Sequence, residues 1–555
     1  MAIGLEACGG SDTATTTSSA SSGTTMATKA SSGVLSNEEA AHFLLQAQFS
    51  ATQSEIAVLQ DAGMTGWLQM QYSSAISQTG WDWLDSAGFN VIDSNLKFFS
   101  VSATDSMVWK QLITSSDAMR KRIALALSEY FVVSANGFDG YWPSYLMAAY
   151  WDMLNTYAFG NFRDLLEAVT LNPAVGRFLN TKGNMKEDGN GRQPDENYAR
   201  EILQLFTIGL NELNTDGSLA TDAYGSPIPT YTQSDISNLA RVFTGYDYAP
   251  AVWTPFVTST QTYNVPTRDF CRLPLVLTAS KHSTLAATFL GTTVPAGTSG
   301  AGALKQALDI IFSHKNVGPF FARQMIQRLV TSNPSAAYVG RVAAAFNNNG
   351  SGVRGDLQAV WTAIFCDLEA RTPVTAATGG KLREPTVRIV QLARTVPFSS
   401  TNGAWAFYDL TKGVWGMGES PLRAPSVFNF FRPGFVPANS HMADAGLAAP
   451  EFGIVTESTI AGYLNFLMSF ISKGLKDVVP DYTSLISIVT DDAALVDWLN
   501  LHFAAGQLSA TTIATVRNAL DVYPVTAKSD NAKRLDTLKS AIFMVMASPD
   551  YLVQK

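Results

Sequence analysis

The sequence predicts a mainly α-helical protein, that is, a multi-helical globular body with irregular loops and at most a small β-hairpin. Apolar residues return every three or four positions through most of the chain, which is the spacing of one buried helix face. The 555 residues are 46% hydrophobic and 11% aromatic, enough to bury an extensive core. No repeat of roughly 20 to 50 residues is present, so a regular helical solenoid is not expected.

Helical periodicity starts at Asn37 and defines the predicted body. In the first part of the chain it covers 38–48, 53–72, 117–133, 143–158, 194–209, 233–244, 302–312, 317–330, 335–347 and 355–368. Further on it covers 383–394, 454–473, 491–503, 509–520 and 531–547. Because helical segments recur along most of the chain, we expect an all-α architecture.

Two regions lack this periodicity. Residues 249–300 are rich in Thr, Val, Tyr and Pro and fit either a short hairpin or an ordered loop. Residues 411–452 carry many Gly, Pro and aromatic residues and are too apolar for a solvated linker, so we expect an irregular segment that packs across the body. The helical body therefore spans 34–555, and we expect two subdomains divided near 249–300.

The N-terminal 33 residues predict an export segment followed by a flexible tether. Residues 9–33 are almost entirely Gly, Ser, Thr and Ala, a composition that buries too little to order a chain. Leu5 to Gly9 (LEACG) resembles a bacterial lipobox, in which the Cys, here Cys8, receives a lipid. We expect a truncated export segment and a start codon upstream of Met1, because seven residues are too few for a signal peptide. The alternative is a cytosolic protein with a disordered leader.

Composition excludes several classes of partner. Lys and Arg total 38 against 46 Asp and Glu, and no basic run marks a surface for nucleic acid. Every apolar run is broken before the roughly 18 residues that would span a bilayer, so no transmembrane helix is predicted. The spacing of the three cysteines excludes a zinc site and a disulfide scaffold. Cys271 and Cys366 are either a pair or two separate buried thiols.

Several segments carry a resemblance to a known family. They are 194–209 (PDENYAREILQLFTIG), 231–236, 240–245, 40–49, 159–166, 328–334 (RLVTSNP), 380–385 (GKLREP), 420–433 (SPLRAPSVFNFFRP) and 449–452 (APEF). Together they resemble the bacterial family called domain of unknown function 1800 (DUF1800), over about 34–551. His42 stands where that family usually has Arg, and Phe206 stands where many members have His.

The resemblance implies where the protein is located but not which reaction it catalyses. Members of the family look exported, and they are commonly encoded beside a sulfatase-like family. It therefore implies a role in the cell envelope, with a sulfatase-like envelope protein as a partner. It implies no established activity.

The segment 194–209 offers the first candidate site. We predict that Pro194 opens a helix, since Pro is favoured in a first turn. Asn197, Arg200 and Glu201 then share a polar stripe, where Glu201 could act as a general acid or base and the other two could position a polar group. The alternative is a structural brace, with Glu196 and Arg200 as an i,i+4 pair.

Histidines and acidic turns give the remaining candidates. His282, beside Ser283, is the best catalytic histidine, and His441 is the second. Asp216 and Asp222 alternate with other oxygen side chains, a pattern that suits calcium, although a turn held by Asp and Asn side chains is the common alternative.

The sequence thus leaves two functions open. The first is an exported cell-envelope scaffold or binding protein, tethered by lipid at Cys8 and working with an envelope partner. The second is a hydrolase of an envelope or extracellular polymer that uses Glu201, Arg200, Asn197 and His282. No serine-hydrolase, zinc-protease or P-loop motif is present to support an enzyme.

Overall fold

The computed structural model describes residues 34–372 and 379–555, and within them it confirms the mainly α-helical prediction. Residues 1–33, which include the lipobox-like segment and Cys8, lie outside the described residues.

The described residues of the first half form eleven helices, and seven of these coincide with predicted periodic segments. They are α1 (Asn37–Ala47), α2 (Gln53–Ser73), α3 (Gly80–Ser86), α4 (Ala103–Thr114), α5 (Ala118–Tyr130), α6 (Pro143–Tyr157), α7 (Phe162–Leu171), α8 (Pro173–Phe178), α9 (Asn197–Gln204), α10 (Gln233–Val242) and α11 (Gly300–Ser313). Each of α1, α2 and α10 begins with a capping box, in which the cap side chain and the third helical residue satisfy each other's backbone amides.

The second half continues in the same way. Its helices are α12 (Val317–Leu329), α13 (Ala336–Asn347), α14 (Leu357–Phe365), α15 (Leu368–Arg371), α16 (Pro385–Thr395), α17 (His441–Asp444), α18 (Glu457–Lys473), α19 (Asp492–Ala504), α20 (Ala510–Asp521), α21 (Asn531–Ala547) and α22 (Pro549–Leu552). None of the helices in the described part of the chain is long and apolar enough to cross a membrane.

Two differences from the predicted helices have clear causes. Helix α4 is missing from the periodic segments because it is buried on almost every side and so has no polar face. Helix α9 is shorter than predicted: it begins at Asn197 rather than at Pro194 and ends at Gln204 rather than at 209. The assignment of Pro194 to its first turn was therefore wrong. The side chain of Asp195 instead accepts a hydrogen bond from the backbone of Asn197, at 2.8 Å.

The strands of the described residues form five two-stranded antiparallel pairs. These are β1 (Tyr246–Asp247) with β4 (Val276–Leu277), β2 (Trp253–Val257) with β3 (Thr262–Pro266), β5 (Ala287–Phe289) with β6 (Thr292–Val294), β7 (Lys381–Leu382) with β10 (Val553–Gln554), and β8 (Phe398–Ser400) with β9 (Val478–Pro480). The pair β2–β3 is the hairpin expected within 249–300. The other pairs are only two or three residues long.

The buried apolar side chains form one contiguous cluster that runs from Ala40 to Tyr551. Cys271 and Cys366 are separate free thiols inside it, which is the second of the two sequence alternatives. The segment 411–452 packs as an irregular stretch with little helix, as predicted. The division into two subdomains near 249–300 stays a prediction.

Helix α5 lies at the centre of this core. All thirteen of its residues are buried, and among them are Arg120, Lys121, Arg122 and Glu129. Burying a charged group costs free energy unless other groups compensate it, so each of these side chains requires partners from elsewhere in the chain. The surroundings of Arg122 and Glu129 form the site described next.

Candidate functional site

Three glutamates from distant parts of the chain meet beside α5. Glu129 lies near the end of α5, Glu384 immediately precedes α16, and Glu419 belongs to the irregular segment 411–452. One carboxylate oxygen from each lies within 4.8 Å of the other two. The residues are 4%, 0% and 1% exposed, respectively. We call them the glutamate cluster.

Local structure explains why Glu384 points into the cluster. It is the N-cap residue of α16, and Pro385 occupies the first helical position. The Glu384 side chain makes no capping hydrogen bond to its own helix. Its Oε1 instead accepts a hydrogen bond of 2.7 Å from Lys381, on strand β7. The cap position therefore supplies a carboxylate to the core.

Buried cations surround the glutamate cluster. The ammonium of Lys381 also donates to the carbonyl of Arg328 at 2.7 Å and lies 3.1 Å from Oε1 of Glu451. Arg122 donates to the same carbonyl of Arg328 at 2.7 Å. Arg328 itself donates to the carbonyl of Glu129 at 3.1 Å. These bonds fasten α5, α12 and strand β7 to one another.

Several carboxylate oxygens receive no donor from the described residues. They are both oxygens of Glu129 and the Oε2 atoms of Glu384, Glu419 and Glu451. The Nε of Arg328 is 3.7 Å from Glu129 Oε2, which is too long for a hydrogen bond. Buried polar atoms without a partner are uncommon, and a group of them indicates a functional constraint.

The surroundings of the three carboxyl groups shift their pKa values in different directions. Burial raises the pKa of Glu129 well above its usual range, and the neighbouring Glu384 and Glu419 raise it further. Burial raises the pKa of Glu419 to about 8. Burial also opposes ionisation of Glu384, but Lys381 and Arg122 outweigh it and hold its pKa below the usual value. Strongly shifted neighbouring carboxyls are typical of functional sites.

A cavity of about 590 Å³ lies against this region and shares Glu129 and Arg328 with it. Three apolar side chains in its wall, Leu210, Leu219 and Phe428, are between 43% and 58% exposed. The same wall contains Arg323 and Arg432, neither of which forms an ion pair with a carboxylate of the described residues. We call this the large cavity.

A second cavity, of about 10 Å³, borders Glu129 and Glu419 of the glutamate cluster. Its lining includes Ser128, Glu129, Glu419 and Asn429, and the Nδ2 of Asn429 has no hydrogen-bond partner among the described residues. This volume has room for about one atom the size of a water oxygen. We call it the small cavity.

The family of the chain follows from a comparison with protein-family models. The model described as "Protein of unknown function (DUF1800)" matches residues 42–553, almost the whole chain. The chain belongs to this family. No curated protein and no solved structure matches it.

Within this DUF1800 protein, the predicted pair on α9 is present. Arg200 lies 3.4 Å from Glu196, which also accepts hydrogen bonds from Gln233 at 2.7 Å and from Ser237 at 2.5 Å. This network joins α9 to α10, so the i,i+4 pair of the brace interpretation is confirmed. Asn197 lies at the first position of the same helix.

Glu201 stands outside that network. It is 6% exposed, and its Oε2 has no hydrogen-bond partner among the described residues. Burial raises its pKa, while Arg200 opposes the shift. Helix α9 reaches the large cavity only through Gln204 and the following Leu205. The proposed acid or base role of Glu201 stays a prediction.

The histidines lie in different settings. His282 is buried, and its Nδ1 is 2.9 Å from the carbonyl of Thr244, so the ring fastens the loop after α10. Ser283 donates to Glu187 at 2.9 Å and not to His282. His441 is fully exposed on α17. Neither histidine lines the large cavity.

The two calcium candidates occupy successive turns. Oδ1 of Asp216 accepts from the amide and the hydroxyl of Ser218, at 3.0 and 2.6 Å. Oδ1 of Asp222 accepts from the amides of Tyr224 and Ser226, at 2.8 and 2.9 Å. Within the described residues, neither belongs to a group of three or more ligand atoms of the kind found at the glutamate cluster. Their arrangement fits the alternative of turns held by Asp side chains.

The glutamate cluster was not predicted from the sequence, although some of its residues lie in or beside segments that carry the family resemblance. Glu384 and Glu451 lie inside two segments that carry the family resemblance, and Glu419 directly precedes a third. Charged residues inside otherwise apolar or glycine- and proline-rich segments were the available signal. Glu129 gives no such signal, because a single glutamate in an apolar helix usually faces solvent.

Proposed function

We propose that this DUF1800 protein is an exported cell-envelope binding protein that holds an anionic ligand with an apolar body in the large cavity. The observation that carries the proposal is the pairing, in one cavity wall, of exposed apolar side chains with arginines that lack a carboxylate partner. Such pairing is the usual composition of a small-molecule site.

The apolar part of the wall supplies the driving force for binding. Leu210, Leu219 and Phe428 leave apolar area in contact with water, and covering it with a ligand is favourable. Phe428 also lies 5.2 Å from the guanidinium of Arg432, so this ring orients a cation at the same wall.

The arginines supply selectivity for an anion. Guanidinium groups bind carboxylate, phosphate and sulfate groups through paired hydrogen bonds. The chain as a whole carries a net charge of −8, so attraction of an anion has to come from this local arrangement. The side chain of Arg323 has a single contact of 3.5 Å to the carbonyl of Gly217, which leaves most of its donors for a ligand.

Binding is better supported than hydrolysis. Both carboxylate oxygens of Glu129, the glutamate that borders the large cavity, are buried from solvent. A general acid or base has to come within hydrogen-bond reach of its substrate. The hydrolase alternative therefore rests on Glu201 with Arg200, Asn197 and His282, none of which lines the large cavity.

The cell-envelope part of the proposal rests on the N-terminal sequence. The lipobox-like segment around Cys8 would hold the body at a membrane surface through a lipid. A sulfatase-like envelope protein, implied by the family resemblance, is the proposed partner. The test is to express the gene with its upstream sequence, fractionate the cells and determine the mass of the N-terminal peptide. Recovery of the protein in the cytosol with an unmodified Cys8 would refute this part.

The large cavity can be tested with 1-anilinonaphthalene-8-sulfonate, which joins an apolar ring system to a sulfonate. We expect saturable binding at one site per chain. Arg323→Ala and Phe428→Ala should each weaken binding by about 10- to 150-fold, because a charge-assisted hydrogen bond or a buried ring contributes roughly 1.5 to 3 kcal/mol. Fluorescence titration measures the effect.

Two controls make the result specific. Arg517→Ala removes an exposed arginine of α20 outside the large cavity and should bind like the wild type. N-phenyl-1-naphthylamine, which lacks the sulfonate, should be insensitive to Arg323→Ala. Equal affinity of the wild type and both cavity variants for the sulfonate probe would overturn the proposal.

A further inference from the structure

We propose that the glutamate cluster, Glu129, Glu384 and Glu419, binds one small divalent cation of the Mg²⁺ or Mn²⁺ type in the core of the protein. This site is separate from the anion-binding role of the large cavity and does not depend on it.

The first support is the spacing of the carboxylates. One oxygen from each glutamate lies within 4.8 Å of the other two. Oxygens bound to a common ion at roughly 2.0 to 2.4 Å are at most about 4.8 Å apart, when they sit on opposite sides of the ion. The separation of the three oxygens is therefore compatible with their binding one ion.

The second support is the lack of donors to these oxygens. Both oxygens of Glu129 and the Oε2 atoms of Glu384 and Glu419 receive no hydrogen bond from a Lys, Arg or amide donor of the described residues, and the carboxyls of Glu129 and Glu384 contact each other, although all three residues are more than nine-tenths buried. A bound cation would satisfy several of these oxygens at once. Carboxylates inside a protein are normally paired or coordinate a metal.

The neighbouring Lys and Arg side chains do not supply the missing donors to these oxygens. Lys381 uses Oε1 of Glu384, Oε1 of Glu451 and the carbonyl of Arg328, which leaves Oε2 of Glu384 free. The hydrogen bonds of Arg122 and Arg328 go to main-chain carbonyls and to Gln324. None of these cations therefore donates a hydrogen bond to the Glu129 carboxylate or to the Oε2 atoms of Glu384 and Glu419.

The third and independent support is the small cavity. It is a space of about 10 Å³ whose lining includes Glu129, Glu419 and Asn429. Its volume suits one ion or one water molecule. Because it borders two of the three glutamates, it provides room for the ion or for a water ligand of the ion.

The chemistry of the ligand atoms indicates which metal ions the site would bind. Three carboxylates and no His or Cys form an all-oxygen site, which favours Mg²⁺, Mn²⁺ and Ca²⁺ over zinc or copper. Calcium binds its six to eight oxygen ligands at about 2.3 to 2.6 Å, whereas Mg²⁺ binds its ligands at about 2.0 to 2.1 Å. The restricted volume therefore favours the smaller ions.

The test starts with the wild-type full chain, freed of metal with a chelator and dialysed. Mn²⁺ is added, and the signal of free Mn²⁺ is followed by electron paramagnetic resonance. We expect one Mn²⁺ to be bound per chain, Mg²⁺ to compete for it, and either ion to raise the melting temperature. No binding by the folded wild type would overturn the proposal, because a site that holds only water or protons gives no response.

The variants locate the bound ion. Glu419→Gln and Glu129→Gln should each weaken Mn²⁺ binding by at least the roughly 10- to 100-fold that loss of an outer partner causes. Glu201→Gln is the matched control, since Glu201 is also buried and also has an unpartnered Oε2 but lies outside the cluster. Asp216→Asn controls for the surface turn, and both controls should keep wild-type affinity.

Two results would place the ion elsewhere and overturn the assignment. One is unchanged Mn²⁺ affinity in a folded Glu419→Gln or Glu129→Gln protein. The other is loss of binding in Asp216→Asn. If both cluster variants fail to fold, Glu419→Asp takes their place, because it keeps the charge but withdraws the carboxylate by one methylene, and unchanged Mn²⁺ affinity of this folded protein would overturn the assignment.

Discussion

At the scale of single residues, His42 shows how burial sets a protonation state. It lies in α1, with its Nε2 2.9 Å from the side-chain amide of Gln46. Burial lowers its pKa to about 3, and the nearby Arg371 and Arg383 contribute to the shift. The ring is therefore neutral in the folded protein at neutral pH. In the unfolded chain it takes up a proton below about pH 6.5.

A pH prediction follows from this difference. Stability contributed by neutral His42 is complete above about pH 6.5 and is lost as the pH falls towards 3, at about 1.4 kcal/mol per pH unit. Between pH 7 and pH 5, the wild type should lose about 2 kcal/mol more stability than His42→Gln. Urea unfolding at the two pH values measures this. His441→Gln, at an exposed position, is the control, and parallel behaviour of the wild type and His42→Gln would contradict the prediction.

Two glutamates on either side of Arg200 should respond differently to neutralisation. Glu196→Gln removes the charge that pairs with Arg200 and replaces one of the two acceptor oxygens of the network joining α9 to α10 with an amide donor, and it should cost about 1 kcal/mol. Glu201→Gln removes a buried charge whose Oε2 has no partner, so the stability should stay within about 0.5 kcal/mol or rise. Chemical denaturation of both variants tests the difference. A loss of several kcal/mol in Glu201→Gln would show that Glu201 braces the fold after all.

At the scale of elements, the close packing of α18 against the irregular segment 411–452 depends on a glycine. A Cβ on Gly462 would overlap the backbone carbonyl of Gly416. Gly462→Ala should therefore destabilise the protein by roughly 2 kcal/mol or more, although Ala favours a helix by about 1 kcal/mol over Gly.

Gly66→Ala in α2 is the matched control for this prediction. There the new Cβ would meet only the Cβ of Ala62, at 3.6 Å, so the helical preference of Ala should raise the stability by about 0.5 to 1 kcal/mol. Thermal or chemical unfolding of the two variants gives the comparison. Stabilisation by Gly462→Ala would mean that α18 and Gly416 do not approach each other this closely.

At the scale of the whole molecule, the buried charges of the N-terminal half find their partners in the C-terminal half. Arg423 holds Asp105 of α4 through two hydrogen bonds, of 2.8 and 2.7 Å. Arg122 of α5 likewise donates to the carbonyl of Arg328, and the guanidinium of Arg328 lies 3.7 Å from the carboxylate of Glu129. A buried charge left without its partner costs several kcal/mol.

We therefore expect the body to unfold in one cooperative transition. A protein truncated after residue 250 should not fold alone, because it keeps Asp105, Arg122 and Glu129 and loses their partners. Calorimetry of the full chain and circular dichroism of the truncated protein test this. Two separate transitions, or a folded fragment, would instead support the division near 249–300.

The sequence by itself determined the class of fold, most helices and the family. These features follow from local patterns: apolar spacing defines a helix face, and Ser, Thr and Asp start helices wherever they occur. The candidate residues Asn197, Arg200 and Glu201 were also found in this way, because they lie on one short helix.

Only the tertiary structure decided where the buried charges meet. Glu129, Glu384 and Glu419 are separated by up to 290 residues in the sequence, and no local pattern relates them. Helix α4 was missed for a related reason, since a helix buried on all sides has no amphipathic signature. Burial and long-range electrostatics depend on the three-dimensional fold, so the glutamate cluster and the large cavity became visible only there.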